Sequence, residues 1–255
     1  MPGTGVVLPN SIKANSQKDK SKNMKTIDLK KMLALGIGMT LAGTVHGAML
    51  IDDFNSPIGG QSVGIIDGVV GQHADLALNG LAGVLGGSRD LYVEIQHTYN
   101  SPVANQCGAA ANGITSTDFL TYFNDANVDS VCKVTWDGNG SGLNTNLAAE
   151  TSFLLFTTFN DSAVAYTITL STIGGGTSTQ TINEGAGFSG DVSFPMASFA
   201  GTASLADVDS ITLAIEGTRG TDVSIHTFST VPETSSTGLA LLGVVGLGLA
   251  RRRRN

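Results

Sequence analysis

Basic residues are almost missing from the middle of this 255-residue chain. Between residues 49 and 230 there are three of them, Arg89, Lys133 and Arg219, against 18 acidic residues, a formal net charge of −15. Such a surface repels phosphate groups, which excludes nucleic acid as a partner and disfavours anionic lipid. Two interpretations of the acidity stay open: it maintains solubility, or it attracts divalent cations.

Catalytic motifs are also missing. Gly187-Phe188-Ser189-Gly190 lacks the last glycine of a nucleophile elbow, because Asp191 stands there. The histidines His73, His97 and His226 are isolated and show no metal-ligand spacing, and there is no phosphate loop or dinucleotide fingerprint. We therefore expect a non-enzymatic protein. The alternative is a secreted glycan hydrolase or lyase, which needs two carboxylates roughly 5–10 Å apart in a cleft.

Helical periodicity is nearly absent from residues 49–230. Short alternating runs stand between clusters of Gly, Asn, Asp and Ser, and this pattern predicts strands and turns. The clearest runs are Asp90–Thr98, Val131–Asp137, Phe153–Thr158, Ala163–Ser171 and Thr221–Ser229. Many short strands with glycine-rich turns predict one all-β domain, a β-sandwich.

Four segments of this domain resemble jelly-roll domains of the galactose-binding and carbohydrate-binding kind. They are Leu50–Phe54, Gly86–Leu91, Val208–Leu213 and Asp222–Ile225. The resemblance implies a single jelly-roll-like sandwich, and it assigns no ligand-binding residue.

The last 25 residues have the composition of a sorting signal. Val231, Pro232, Glu233 and Thr234 begin it, a small and apolar run follows from Thr237 to Ala250, and four arginines end it (Arg251, Arg252, Arg253 and Arg254). The apolar run predicts a transmembrane helix, and the arginines stay on the cytoplasmic side. The order resembles the PEP-CTERM tail of exported Gram-negative proteins, although Thr234 stands where the family usually has a second proline.

The other end carries an export signal. Lys25, Lys30 and Lys31 precede an apolar run from Met32 to Val45, and small residues follow around Gly47. This is the pattern of a secretory signal peptide, here residues 24–48, which signal peptidase removes. We expect translation to start at Met24, with residues 1–23 a mis-assigned or disordered extension.

The tail resemblance implies a route and a set of partners. It implies export across the inner membrane of a Gram-negative bacterium, a transient anchor in that membrane through residues 231–255, and processing by an exosortase. The expected destination is the cell surface or the extracellular matrix. Similar proteins accompany exopolysaccharide and biofilm production, so polysaccharide is the partner that the resemblance implies.

The chain has only two cysteines, Cys107 and Cys132. In an exported protein such a pair predicts a disulfide, which would contribute about 3–4 kcal/mol in the chain-entropy model. Two free thiols or a metal site are the alternatives, and a metal site lacks its second pair of ligands.

Two segments offer oxygen ligands for structural calcium. Asp137 and Asn139 begin a stretch like a calcium loop, but Ala148 stands where its bidentate Glu belongs, and a tight hairpin explains the segment as well. Asp52 and Asp53 are adjacent on a predicted strand, so their side chains point to opposite faces. One of them is a candidate calcium ligand; the alternative is a solvent carboxylate together with a partner for Arg89.

Aromatic residues are few, and exposed ones are candidates for stacking on sugars. Trp136, the only tryptophan, shares a predicted face with Cys132 and Val134 and is expected in the core. Tyr99, Tyr122 and Phe123 lie in less regular segments and are the better candidates for exposed aromatics.

Overall fold

The computed structural model describes residues 47–57, 60–99, 105–113 and 116–233, and the regular structure in these ranges is almost entirely β-strand. Two single-turn 3-10 helices, Leu85–Gly87 and Met196–Ser198, interrupt the strands. The prediction of an all-β domain is confirmed. The strands of the described ranges are β1 (Leu50–Asp52), β2 (Gln61–Ile65), β3 (His73–Asn79), β4 (Ser88–Thr98), β5 (Cys107–Gly113), β6 (Ser116–Asn124), β7 (Val128–Trp136), β8 (Glu150–Asn160), β9 (Val164–Thr172), β10 (Thr177–Glu184), β11 (Gly190–Pro195), β12 (Ala200–Gly201), β13 (Val208–Gly217) and β14 (Asp222–Pro232).

The strands form two antiparallel sheets of seven strands each. The first sheet has the order β11-β8-β14-β6-β5-β2, with β1 also pairing with β14. The second sheet has the order β12-β10-β9-β13-β7-β4-β3. The pairs β3-β4, β5-β6 and β9-β10 join strands that follow each other in sequence, whereas most other connections cross from one sheet to the other. The last strand, β14, lies between β6 and β8.

The core lies between the two sheets, as in a β-sandwich. Inward-facing residues alternate with outward ones along the long strands; on β9, for example, Val164, Tyr166, Ile168 and Leu170 are buried. Side chains of the two sheets contact each other directly: the Trp136 ring on β7 lies 5.2 Å from the Phe228 ring on β14. The Tyr122 hydroxyl on β6 donates to the Ser130 carbonyl on β7 at 2.7 Å.

Each strand that the alternation predicted is present, with longer bounds at several ends. The last one runs through Pro232 instead of ending at Ser229. Val231 pairs with Ser152 and Pro232 with Glu150, and the Glu233 N–H donates to the Ala149 carbonyl at 2.8 Å. The first three residues of the predicted sorting motif therefore continue the sandwich.

The N-terminal end of the described domain lies beside this strand. Leu50 pairs with Ser229, and the Thr230 N–H donates to the Met49 carbonyl at 2.8 Å. The remainder of the predicted signal peptide, residues 24–46, and the tail with Thr234 and Arg251 to Arg254 lie outside the described residues. Among the described residues, none belongs to a helix with the length and apolarity to cross a bilayer.

Candidate functional site

The outer face of the first sheet carries a cluster of rings, which we call the aromatic face. Phe123, Phe156 and Phe159 are 43%, 38% and 48% exposed, and Phe119 and His226 are half-buried. These side chains come from three adjacent strands, β6, β14 and β8. Exposed large apolar side chains gathered on one sheet face mark an interaction surface.

Two β-bulges lie in the middle of this face. Ser224 pairs with Phe159 and Ile225 with Thr157, so Thr158 is an extra residue on β8. Ile225 pairs with Thr157 and Thr227 with Phe156, so His226 is an extra residue on β14. Bulges re-aim side chains and are common beside functional sites.

The rings contact one another across the strands. His226 lies 5.2 Å from the Phe119 ring and 6.1 Å from the Phe156 ring, both edge to face. Phe123 covers Gly108 on the neighbouring strand: a Cβ atom at Gly108 would lie 2.7 Å from the Phe123 ring. A glycine therefore lets this ring lie across β5.

The surroundings of the aromatic face are polar or acidic. Asp191 on the flanking strand β11 pairs with Phe156, and Asp222 at the start of β14 pairs with Phe123. Burial, followed by the charges of Asp161 and Asp125, raises the pKa of Asp222. The six strands of this sheet from β11 to β2 contain no Lys or Arg, so these strands present no permanent positive charge to an anionic ligand.

The second sheet carries a shallow cavity of about 370 Å³ on its outer face, over β3, β4 and β7. Asp75, Asp90 and Thr135 line it together with the Tyr92 ring. That ring packs against His73 at 5.5 Å and under the Lys133 ammonium at 5.1 Å, so it is already covered by protein groups. Burial and the charges of Asp137 and Asp75 raise the pKa of Asp90.

Asp52, a candidate calcium ligand, is fully buried and belongs to a polar network. Arg89 Nη1 donates to both carboxylate oxygens at 2.8 and 2.9 Å, and both side chains have no exposed surface. Trp136 Nε1 donates to Oδ2 at 2.9 Å, and the Phe54 N–H donates to Oδ1 at 2.7 Å. Burial raises the pKa of Asp52, and Arg89 opposes that shift. Asp52 is thus the partner of Arg89, the alternative that the sequence left open.

Gln61 completes the network around Arg89. Arg89 Nε donates to Gln61 Oε1 at 2.9 Å, and Gln61 Nε2 donates to the carbonyls of Leu76 and Arg89 at 2.7 and 3.0 Å. The Arg89 Nη2 group donates to the Ser56 carbonyl. The network joins both sheets, which explains why so many polar groups are buried here.

The other candidate calcium ligands, Asp53, Asp137 and Asn139, do not form a common site with Asp52. The Asp53 carboxylate accepts from the Asn55 N–H at 3.0 Å and lies against Gly83. Asp137 and Asn139 lie in the turn after β7, where the Gly142 N–H donates to the Asp137 carbonyl and the Asn139 N–H donates to Ser88 Oγ. The described residues contain no group of three or more His, Cys, Asp or Glu side chains that could hold a metal ion.

The predicted disulfide is not formed in this structure. Cys107 on β5 and Cys132 on β7 are buried free thiols, one in each sheet. Burial raises the pKa of both thiols, and for Cys107 a hydrogen bond with the Ser130 side chain opposes the shift. The Cys107 thiol therefore interacts with Ser130 instead of being bonded to Cys132.

The aromatic predictions have mixed outcomes. Trp136 is fully buried and Phe123 is exposed, as expected. The prediction that Tyr122 is exposed is wrong, because this residue is 1% exposed and its hydroxyl donates a hydrogen bond to the Ser130 carbonyl. Tyr99 is half-buried, donates to Asp129 Oδ2 at 2.9 Å and lies under the Arg219 guanidinium at 4.4 Å. Sequence alone missed Phe119, Phe156, Phe159 and His226 as one surface, because only the strand order brings them together.

No protein-family model matches the chain, and no curated protein matches it. Among solved structures, it is similar to a family 11 carbohydrate-binding module from Clostridium thermocellum in complex with a β-1,3-1,4-mixed-linked tetrasaccharide, with a TM-score of 0.43 and 11% identity, covering 74% of this chain and 98% of that chain. The same family's module of the C. thermocellum cellulase Lic26A-Cel5E gives a TM-score of 0.42 and 10% identity, covering 74% and 96%. An arabinose-bound α-L-arabinofuranosidase gives a TM-score of 0.37 and 14% identity, covering 78% of this chain and 28% of that chain.

Proposed function

We propose that this protein is an exported, non-enzymatic protein that binds neutral polysaccharide on the aromatic face of a jelly-roll-like sandwich. The observation that carries the proposal is the set of exposed rings on β6, β14 and β8, with two bulges among them. Pyranose rings have apolar C–H faces that pack on aromatic rings, and this contact requires no charge on either partner.

The charge distribution decides which polysaccharides fit. The aromatic face has no Lys or Arg on its strands, and the carboxylates Asp191 and Asp222 pair with two of its phenylalanines. Acidic polysaccharides and nucleic acids would be repelled, since nothing on this surface neutralises their charges. A neutral glycan carries no such penalty.

Binding assays with ring-removal variants test the proposal. The full-length chain is titrated with dextran, hydroxyethyl cellulose and galactomannan by calorimetry. Phe156→Ala and Phe123→Ala should each weaken binding by about 2 kcal/mol, because a central aromatic contact is the typical hot spot of an interface. Ile173→Ala is the matched control, since Ile173 is 61% exposed in a turn of the other sheet.

Two outcomes would contradict the proposal. One is binding that survives both phenylalanine substitutions, which would place the ligand elsewhere. The other is binding of acidic polysaccharide in preference to every neutral one.

The delivery of the protein is part of the same proposal. The signal peptide at residues 24–48 and the PEP-CTERM-like tail at residues 231–255 support export and an exosortase as partner. The transient anchor, the surface or matrix destination and the link to exopolysaccharide follow from that resemblance.

A further inference from the structure

His226 occupies the centre of the aromatic face. Its ring lies between those of Phe119 and Phe156, at 5.2 and 6.1 Å, with interplanar angles of 70° and 80°. Every other ring of the face is a phenylalanine, which offers no hydrogen bond. His226 is therefore the one side chain in the ring cluster that can both stack and bond a hydroxyl.

The backbone places His226 there through an irregularity. Ile225 and Phe228 are both fully buried although they are three residues apart, and a regular strand would point them to opposite faces. The bulge adds His226 to β14 after the Ile225–Thr157 pair, and the extra Thr158 of β8 lies on the other side of that pair, where its hydroxyl donates to the Ser224 carbonyl at 3.1 Å. Both inward residues are kept, and the imidazole is directed among the rings.

A neutral imidazole has one N–H donor and one nitrogen acceptor, as a sugar hydroxyl needs. An imidazolium has two donors, no acceptor and a charge that must stay hydrated. Protonation would therefore remove an accepted hydrogen bond and bring water to the surface on which a neutral sugar packs.

We infer that His226 is the specificity-determining residue of the aromatic face: its neutral imidazole bonds a hydroxyl of a neutral glycan lying over Phe119 and Phe156, and protonation releases the glycan. This inference rests on the proposed function. Protonation replaces the acceptor nitrogen with a second donor, so affinity should be weaker in acid than in alkaline solution.

The other titratable groups around His226 are carboxylates. Asp222 shares β14, Asp118 precedes Phe119 on β6, and Asp191 lies on β11, while the outward residues of β8, β5 and β2 add no titratable group. Burial raises the pKa of Asp222, so it is the carboxylate whose titration has to be separated from that of His226.

Calorimetric titrations of the full-length chain at pH 8 and pH 5 test the inference, with dextran, hydroxyethyl cellulose and galactomannan as probes. We expect wild-type affinity to be about tenfold weaker at pH 5, as for the loss of one hydrogen bond. His226→Gln keeps a donor and an acceptor but does not titrate, so its affinity should be equal at the two pH values. Asp222→Asn should keep the wild-type pH dependence.

Circular dichroism at both pH values establishes that each variant is folded. Binding of equal strength at pH 8 and pH 5 overturns the role of His226 and leaves the proposed function standing. The same holds if His226→Gln keeps the pH dependence or Asp222→Asn loses it. Failure of all three glycans to bind at any pH overturns the proposed function and this inference together.

Discussion

Arg89 is a fully buried cation at the centre of a polar network. Its guanidinium donates to Asp52 and Gln61, and its Cζ atom lies 5.6 Å from the centre of the Phe54 ring. A buried ion pair contributes little net stability against apolar residues of the same size, but breaking one side of it leaves an unpaired buried charge. Replacing either Arg89 or Asp52 alone should therefore destabilise the fold more than replacing both together.

Arg89→Met should destabilise the fold by about 3–5 kcal/mol, because it leaves the Asp52 carboxylate buried without its cation. Lys133→Met is the matched control: its ammonium also lies over a ring, that of Tyr92, but at the surface, so the cost should be about 1 kcal/mol or less. Urea denaturation measures both. Equal costs for the two variants would contradict a dominant role of the buried pair.

A prediction about the two cysteines distinguishes free thiols from a disulfide bond. The native chain should react slowly with a thiol reagent, because Cys107 and Cys132 are buried and burial raises the pKa of both. In denaturant without reductant, two thiols per chain should react. A count of zero would show that the protein forms the bond instead.

Asp90 gives a pH-dependent prediction. Burial and the charges of Asp137 and Asp75 raise its pKa, so the folded state holds the proton to higher pH than the unfolded chain. Ionisation of Asp90 thus lowers stability as pH rises above the ordinary Asp value of about 3.9.

Asp90→Asn should therefore raise the melting temperature at pH 7, and the gain should shrink towards zero below about pH 4. Asp191→Asn, an exposed carboxylate of the other sheet, is the comparison. A gain that persists unchanged in acid would mean that the amide acts through packing and not through charge.

At the scale of single elements, β5 has no large side chains, and this leaves room for a ring of its neighbour β6. Cys107, Ala109 and Ala111 face the core, and outward Gly108 leaves room for the Phe123 ring of β6. The ring therefore lies along the sheet surface with its other face exposed to solvent.

Gly108→Ala should move that ring. The new Cβ would lie 2.7 Å from the Phe123 ring and 3.0 Å from the Val63 carbonyl oxygen, distances that require a shift. We expect glycan affinity to fall while the strand content in circular dichroism stays the same. Ala110→Ser, on the same outward face of β5, is the control, and an equal effect of both changes would contradict the argument.

The elements also show what alternation in sequence can predict. Asp90–Thr98 and Ala163–Ser171 alternate clearly, because each has one face in the core, and β4 and β9 match them. β5, with the sequence CGAAANG, and β10, with TSTQTINE, lack a large apolar face, so no periodicity marks them. The aromatic face was beyond prediction for another reason: Phe119, Phe156 and His226 meet only because β14 inserts between β6 and β8.

For the whole domain, the position of its first and last described strands is the main consequence of the topology. Met49 and Thr230 are hydrogen-bonded to each other, so these two residues lie side by side. The composition predicts a signal at each terminus, but it could not predict this proximity of residues 49 and 230, which depends on β1 pairing with β14.

Removing residues 237–255 should release the precursor from membranes, because the apolar run and the four arginines are then missing. Ultracentrifugation of cell fractions measures this. Removing residues 1–23 is the control and should leave the precursor in the membrane fraction. A soluble full-length precursor would contradict the anchor.

The same strand, β14, carries both His226 and the exit point at Pro232. A protein held by its tail and pulled through a bound glycan would therefore transmit tension along one strand. That strand is hydrogen-bonded to β8 on one side and to β6 and β1 on the other. Its antiparallel neighbours would load in shear, with many bonds resisting at once instead of opening one after another, so the sandwich should resist mechanical extension between His226 and Pro232.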